Sequence, residues 1–189
     1  MSDAVHDLGP VSVIIPTKDG YDNIERCMDS LIGKTQYANY EVLIVDNGSR
    51  NPAMKNLYAR YKERLGDRFR VLELDIPFNF SRINNLAAKE ARGEYLLFLN
   101  DDTQVISPLW MTRMVSFAQL QRIGVVGAKL YYPVNTIQHA GIVLGLGGVA
   151  GHIMVGTPRT HLGYFGRLIE NVNYYAVQRV DSDRILRRA

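Results

Sequence analysis

The run Tyr95-Leu96-Leu97-Phe98-Leu99-Asn100-Asp101-Asp102-Thr103 constrains the fold more than any other stretch of the chain. Its apolar part, residues 95–99, ends abruptly in two adjacent carboxylates. A short continuous apolar run bounded by polar residues suits a strand covered on both faces, as inside a parallel sheet. The acids then sit at the carboxyl end of that strand, the edge at which open α/β sheets bind ligands. Two carboxylates held there either repel each other or hold a cation, and a cation there can grip a phosphate.

The preceding residues supply neighbours for such a strand. Val11-Ser12-Val13-Ile14-Ile15, closed by Pro16, is a β-rich first strand, and a helical stripe follows at Ile24, Cys27, Met28 and Leu31 within 22–31. Residues 40–45 form a second strand that ends in Asp46-Asn47-Gly48-Ser49. Asn51 then Pro52 is an N-cap with proline at the first helical position, and that helix runs to Leu65 and stops at Gly66. Residues 70–74 form a third strand. Ser81 caps the next helix, which presents Ile83, Leu86, Ala87 and Ala91 and stops at Gly93. Residues 94–99 are the fourth strand. Ser107-Pro108 repeats the cap-plus-proline signal, and Trp110, Met114, Phe117 and Ala118 line one face of the following helix as core. The order β-α-β-α-β-α-β-α predicts a mostly parallel α/β sheet with helices on both faces and right-handed crossovers. Beyond Ile123 the pattern changes: residues 125–132 and 137–146 read as strands, and 151–189 carry no clear period.

Three polar clusters therefore fall at strand ends: Pro16-Thr17-Lys18-Asp19, Asp46-Asn47 and Asn100-Asp101-Asp102. In the common strand order 3-2-1-4 the winding reverses between strands one and four, and the crevice opens there. Thr17 and Asp102 flank it, with Asp46 one strand away. The glycine fingerprint of a dinucleotide site is missing after strand one, and no P-loop occurs. The acids instead point to Mg²⁺ or Mn²⁺, hard cations that share themselves between carboxylates and substrate phosphates. Successive strand residues face opposite ways, so Asp101 and Asp102 do different jobs, one toward metal and the other toward nucleotide. Asp19 and Asp22 serve the loop and the helix cap.

Composition narrows the function. The net charge of +3 is mild and gives little ground for nucleic-acid binding. The basic tail Arg179, Arg184, Arg187 and Arg188 reads as a solvated end, though it permits peripheral contact with a membrane. One cysteine, Cys27, rules out a disulfide framework and fits a cytoplasmic setting. No stretch of 18 apolar residues occurs, and residues 1–10 read as a short tail without the apolar core of a signal peptide.

Pro16-Thr17-Lys18-Asp19, then V-D-N-G-S at 45–49, then G-E-Y-L-L-F-L-N-D-D-T at 93–103, each at a strand end, resemble the family 2 glycosyltransferases of GT-A fold. The later I-Q-H-A-G-I-V-L-G-L-G-G-V-A-G-H at 137–152 and G-Y-F-G-R-L at 163–168 resemble a bacterial branch that transfers rhamnosyl and O-antigen sugars. The resemblance covers 11–177 and implies a Rossmann-like, three-layer α/β/α domain there, with a divergent tail at 178–189. It implies an enzyme moving a sugar from a nucleotide-diphosphate donor to a saccharide or lipid-linked acceptor, with inversion, in cell-surface polysaccharide assembly at the inner face of the membrane. By the same resemblance Pro16, Thr17 and Lys18 touch base and ribose, Asp46 and Asn47 face the nucleotide with Asp46 bonding the base, Asp101 contacts ribose or helps place the metal, and Asp102 coordinates Mn²⁺ or Mg²⁺.

The chain departs from the family at three points. Asn100 stands where the D-x-D motif has its first acid, which lowers the charge of the metal site. Asn84 replaces a phosphate-facing arginine, and Arg82, on another part of the helix, does not take over its role. The family's catalytic base follows a phrase like 171–177, but here the resemblance fades at Gln178. Asp181 and Asp183 are conceivable bases that read better as tail. The alternative function is thus a nucleotide-sugar-binding module lacking its acceptor half. A nucleotidyltransferase needs a glycine- and basic-rich loop after strand one, which is absent. The glycines of 145–151 fail as a dinucleotide fingerprint because no helix signal follows them. His139 and His152 read as structural histidines first and metal ligands second; Tyr131 and Tyr132 could stack on a sugar or cover an edge strand.

Overall fold

The computed structural model describes residues 8–145, 150–163 and 186–188. They belong to two compact units, Met1–Val126 with Asp183–Ala189, and Gly127–Ser182.

In the first unit a parallel sheet is built from β1 (Val11–Thr17), β2 (Tyr40–Asp46), β3 (Phe69–Glu73) and β4 (Tyr95–Phe98). The strand order is β3-β2-β1-β4, the order read from the sequence. A further strand, Leu186–Arg188, pairs antiparallel with β4 at the edge. The connecting helices are α1 (Tyr21–Lys34), α2 (Ala53–Leu65), α3 (Phe80–Glu90) and α4 (Trp110–Ala118). The fold is the three-layer α/β/α arrangement expected.

Alternation explains the layers. Ile14, Leu43, Val45 and Leu96 share one face and pack against Ile83 and Ala87 of α3. The intervening residues Val13, Ile15, Val42 and Ile44 are fully buried. On their side Phe69, in register with Val42, meets the ring of Tyr61 from α2 at 6.1 Å between centroids. The Tyr61 hydroxyl donates to the Glu25 carbonyl of α1, so α1 and α2 lie side by side. Each fully buried Ile or Leu contributes roughly 1.5–3 kcal/mol, which accounts for the apolar strands.

At the amino end of the sheet the buried Ser12 hydroxyl donates to Glu41 (2.7 Å) and accepts from the Gly93 N–H (2.8 Å). Glu41 in turn pairs with Arg70 at 3.1 Å. A Cβ on Gly93 would lie 2.5 Å from the Ser12 nitrogen, so only glycine lets the chain enter β4 this close to β1. At the carboxyl end Pro16 continues β1 alongside Val45, one residue beyond the expected close. It has no N–H to give to β4. The β1–β4 register accordingly ends at Ile14↔Phe98, with one more bond from the Leu99 N–H to the Ile14 carbonyl, and residues 100–102 are free to diverge.

Several element edges differ from expectation. The helix read as capped by Ser81 starts at Phe80, and Asn79 is the cap, accepting from the Arg82 N–H at 2.9 Å. Asn51 receives the Ala53 N–H at 3.0 Å, yet Ser107 makes no side-chain cap; its carbonyl accepts from Trp110 instead. The core face of α4 is Met111, Met114, Val115 and Ala118. Trp110 and Phe117, expected in the core, are half-buried, and the Trp110 indole donates to Thr35.

The second unit is made of short hairpins: β5 (Leu130–Tyr131) with β6 (Ile137–His139), and β7 (Ile142–Leu144) with β8 (Ala150–His152). The strand expected over 125–132 shrinks to Leu130–Tyr131, and that over 137–146 divides at Ala140 and Gly141, where Gly141 takes φ 125°. Among the described residues no helix is long and apolar enough to cross a membrane.

Candidate functional site

A cleft of about 260 Å³ opens at the carboxyl edge of the sheet. Pro16, Thr17 and Lys18 reach it from β1, Asn47 from β2, and Asn100, Asp101 and Asp102 from β4. Its remaining wall is Phe78, Phe80 and Ile83, from the start of α3 and the segment ahead of it. Six of the seven residues expected to bind nucleotide or metal therefore share one cleft: Pro16, Thr17, Lys18, Asn47, Asp101 and Asp102.

The two aspartates sit in a turn beyond β4 rather than on alternate strand faces, and both line the cleft, but their surroundings differ. Asp101 is half-buried, and its Oδ2 accepts from the Thr17 hydroxyl at 2.7 Å. Gly20 closes over this pair: a Cβ there would lie 2.7 Å from Asp101 Oδ2 and 2.8 Å from Thr17 Oγ1. Asp102 is exposed. The donor set is thus one exposed carboxylate, a second with one oxygen committed, and the Asn100 amide. Among the described residues no group of three or more acids, histidines or cysteines could hold a metal alone. Such a set fits a hard cation that arrives with a diphosphate and takes the rest of its ligands from phosphate and water. Beneath the acids, burial and the charges of Asp101 and Asp102 push the Cys27 thiol up to about 12, so it is inert as a nucleophile.

Asp46 is the seventh residue, and it does not line the cleft. It is in register with Thr17 but points to the α2 face, where Tyr58 donates to its Oδ2 at 2.8 Å. Its Oδ1 accepts from the Ser49 N–H at 2.7 Å. Burial, then the bond to Asp46, raises the Tyr58 phenol above its usual range, so the phenol stays a donor. Asn47, one residue on, turns to the cleft. The carbonyls of Leu74 and Ile76 face its amide, and with the nitrogen turned toward these two acceptors it donates to them at 2.9 and 3.1 Å and holds down the segment that leads to Phe78.

Asp19 serves its loop as expected and reaches across to the next. It adopts φ 54°, and its carboxylate accepts from the N–H groups of Arg50 (2.7 Å) and Asn51 (2.8 Å). These bonds, Asn51 first, hold its pKa below the usual carboxylate value. Asn84 is buried; its nitrogen donates to the Phe80 carbonyl at 2.9 Å, and its oxygen has no hydrogen-bond partner. Arg82 is exposed on the same helix.

In the second unit His139 and His152 meet, Nδ1 to Nδ1 at 2.7 Å with edge-on rings. One nitrogen must donate and the other accept, so the pair tolerates one proton between these atoms. Burial, then the neighbouring His152, lowers the pKa of His139. Tyr131 is covered by the Arg159 guanidinium at 4.8 Å. The conceivable bases Asp181 and Asp183, the phrase 171–177 and the glycines at 147 and 148 lie outside the described residues.

The sequence reading missed Phe78, Phe80 and Ile83. The signal was present as P-F-N-F-S: aromatic residues interleaved with polar ones directly ahead of a helix.

A parallel sheet in the order 3-2-1-4, with an acid pair after the fourth strand and helices on both faces, is the GT-A glycosyltransferase fold. Residues 12–143 match Glycosyl transferase family 2, and the chain belongs to that family. It is 47% identical over 167 residues to the uncharacterized protein y4gI of Sinorhizobium fredii, a match covering 88% of this chain and 18% of that protein. It is 46% identical over 142 residues to the O-antigen biosynthesis protein RfbC of Myxococcus xanthus, covering 75% and 11%. The chain thus spans less than a fifth of the length of these relatives. Among solved structures it is similar to the mannosyltransferase PcManGT from Pyrobaculum calidifontis in complex with GDP-Man and Mn²⁺ (TM-score 0.60, 22% identity, 69% of this chain and 38% of that one).

Proposed function

We propose that this domain binds a nucleoside diphosphate sugar together with Mn²⁺ or Mg²⁺ and transfers the sugar, with inversion, to an acceptor hydroxyl. The observation that carries this reading is the convergence of Thr17, Asp101 and Asp102 on one cleft at the switch point of the sheet. The acceptor class follows the relative named for O-antigen biosynthesis: a saccharide or lipid-linked saccharide of the bacterial cell surface, glycosylated on the cytoplasmic side of the membrane.

In this reading Asp102, exposed at the mouth, holds the cation, and Asp101 uses its uncommitted oxygen on ribose or on the same cation. Pro16, Thr17 and Lys18 edge the nucleotide, and the Lys18 ammonium adds positive charge beside the phosphates. Asp46 positions rather than binds: it fixes the loop from which Asn47 enters the cleft. When bound, a divalent cation offsets the negative charge that grows on the leaving diphosphate, an effect worth several kcal/mol. The attacking hydroxyl needs a carboxylate base on the opposite face of the sugar. Asp181 and Asp183 are the candidates the sequence offers.

A thermal-shift screen of nucleotide sugars, with and without Mn²⁺, tests the donor half. The expected result is a cation-dependent rise in Tm with at least one of them; no shift with any would remove the reading. A second reading, a binding module without turnover, is favoured by one observation: among the described residues the only carboxylates lining the cleft are Asp101 and Asp102, and both are spent on the donor. Donor hydrolysis separates the two, because release of free sugar requires a competent catalytic centre.

A further inference from the structure

From Thr103 to Ile169 the chain carries no aspartate or glutamate, although 19 acids occur elsewhere in it. Arg113, Arg122, Lys129, Arg159 and Arg167 fall within that stretch. Charge segregated in this way along a chain favours an anionic partner for the basic part. The hairpins in this stretch also turn apolar side chains outward. Residues 132–135 form a tight turn between β5 and β6: the Asn135 N–H donates to the Tyr132 carbonyl (3.0 Å), and the Tyr132 N–H donates to the Thr136 carbonyl (2.8 Å). Asn135 takes φ 58°, and Pro133 fixes its own φ, so the turn is held in one shape. Val134 is 76% exposed there and Tyr132 40%, with Pro133 exposed between them. Two cations stand at the base of the turn. The Arg159 N–H donates to the Asn135 carbonyl at 2.9 Å, and the Arg159 guanidinium and Lys129 ammonium lie 4.8 and 5.3 Å from the centre of the Tyr131 ring.

We infer that the turn Tyr132-Pro133-Val134 is a membrane-docking tip: its side chains enter the interface of a lipid bilayer, while Lys129 and Arg159 lie against anionic headgroups. Apolar side chains ahead of cations are what such an interface takes, the first by burial and the second by the surface potential. Tyr132, an apolar ring with a polar end, suits the boundary between the two. Other partners fit less well. A nucleic acid would offer phosphates to the cations but nothing to the aliphatic Pro133 and Val134, because bases stack on aromatic faces. Tyr131, the aromatic beside the cations, already carries the Arg159 guanidinium. A second copy of the chain would bring the same acid-free segment, so cations would face cations. No nucleotide takes part in this inference, and it stands apart from the donor reading.

Flotation of the chain with vesicles of phosphatidylcholine, alone or mixed with phosphatidylglycerol, tests this. The expected result is binding to the anionic vesicles that weakens as salt is raised. Val134→Asp is expected to weaken it about tenfold and Arg159→Gln about fivefold, each without a change in Tm, whereas Val134→Leu keeps wild-type affinity. No flotation with the anionic vesicles would overturn the inference, as would equal flotation with the neutral ones. So would a Val134→Asp affinity within about twofold of wild type, because the tip would then stay outside the bilayer. Self-association of the wild-type chain that Val134→Asp abolishes would give the turn to a second copy instead. Tighter binding of a single-stranded oligonucleotide than of the anionic vesicles would give it to nucleic acid. The vesicle assay contains no nucleotide sugar, so this inference and the donor reading fail separately.

Discussion

The parallel sheet and the hairpins that follow it are held by different means. In β1 and β2 the apolar residues are buried on both faces, and seven consecutive register pairs join the strands. In β5 to β8 the strands are two or three residues long, and Ile142 and nearby Val134 stand 44% and 76% exposed. The sheet is stabilised by burial, and its loops inherit that rigidity. The hairpins rest on local contacts, among them the His139–His152 pair and the cation stacked on Tyr131. One region is thus fixed by burial on both faces of its strands, the other by contacts between near neighbours in sequence.

Breaking the sheet should have the largest effect. Leu43→Ala removes a fully buried side chain between β2 and α3, and a loss of about 2–5 kcal/mol is expected in urea unfolding. The exposed Val134→Ser should stay within about 0.5 kcal/mol of wild type. Equal costs in the two variants would mean that burial does not set the sheet apart from the hairpins. Next comes Asp102→Ala, expected to weaken Mn²⁺-dependent nucleotide-sugar binding by about 100-fold, or 2.7 kcal/mol, without a change in Tm. Unchanged affinity in calorimetry would remove its assigned role. Gly20→Ala pushes a methyl group into the Thr17–Asp101 pair, and we expect roughly a tenfold loss of donor affinity; a gain would show that Gly20 is no cover for that pair.

A weaker response is expected to pH, and it falls on the hairpins. His139 has a folded pKa below its ordinary value, so its neutral form belongs to the closed hairpins. Its contribution is therefore whole above the unfolded imidazole pKa of about 6.5. It is lost as pH falls from there through the lower folded value. Hydrogen exchange should show residues 137–144 opening faster at pH 5.5 than at pH 7.5, while the core amides of β1 and β2 keep their protection. Equal acceleration in both regions would mean the imidazole pair is not the cause.

The order and pairing of the sheet were legible because each strand is an unbroken apolar run that ends in a polar cluster, and each helix carries a spaced stripe. The cleft was legible through Thr17, Asp101 and Asp102 for the same reason. What escaped depends on side-chain direction and on partners far along the chain. Asp46 lies at the right height on its strand, yet alternation turns it to α2, where Tyr58 takes it; spacing alone does not fix that side. Asn79 outcompeted Ser81 as a cap because both types serve at that position and tertiary context chose between neighbours. The stretch 125–145 is apolar enough for strands, but the breaks at 132–136 and 140–141 leave pieces too short for period-two patterning to register.

The hydrogen bonds of Asp19 carry a consequence for how this protein can diverge. Its carboxylate reads the backbone at residues 50 and 51, while Asp46 reads the backbone at residue 49. The stretch between those anchors is consequently ruled to the residue. Inserting or deleting even one amino acid between positions 46 and 51 would strand at least one acid without its amides. Length variation among descendants of this domain must be absorbed elsewhere, and the first loop to be grafted onto a new scaffold should travel with the second.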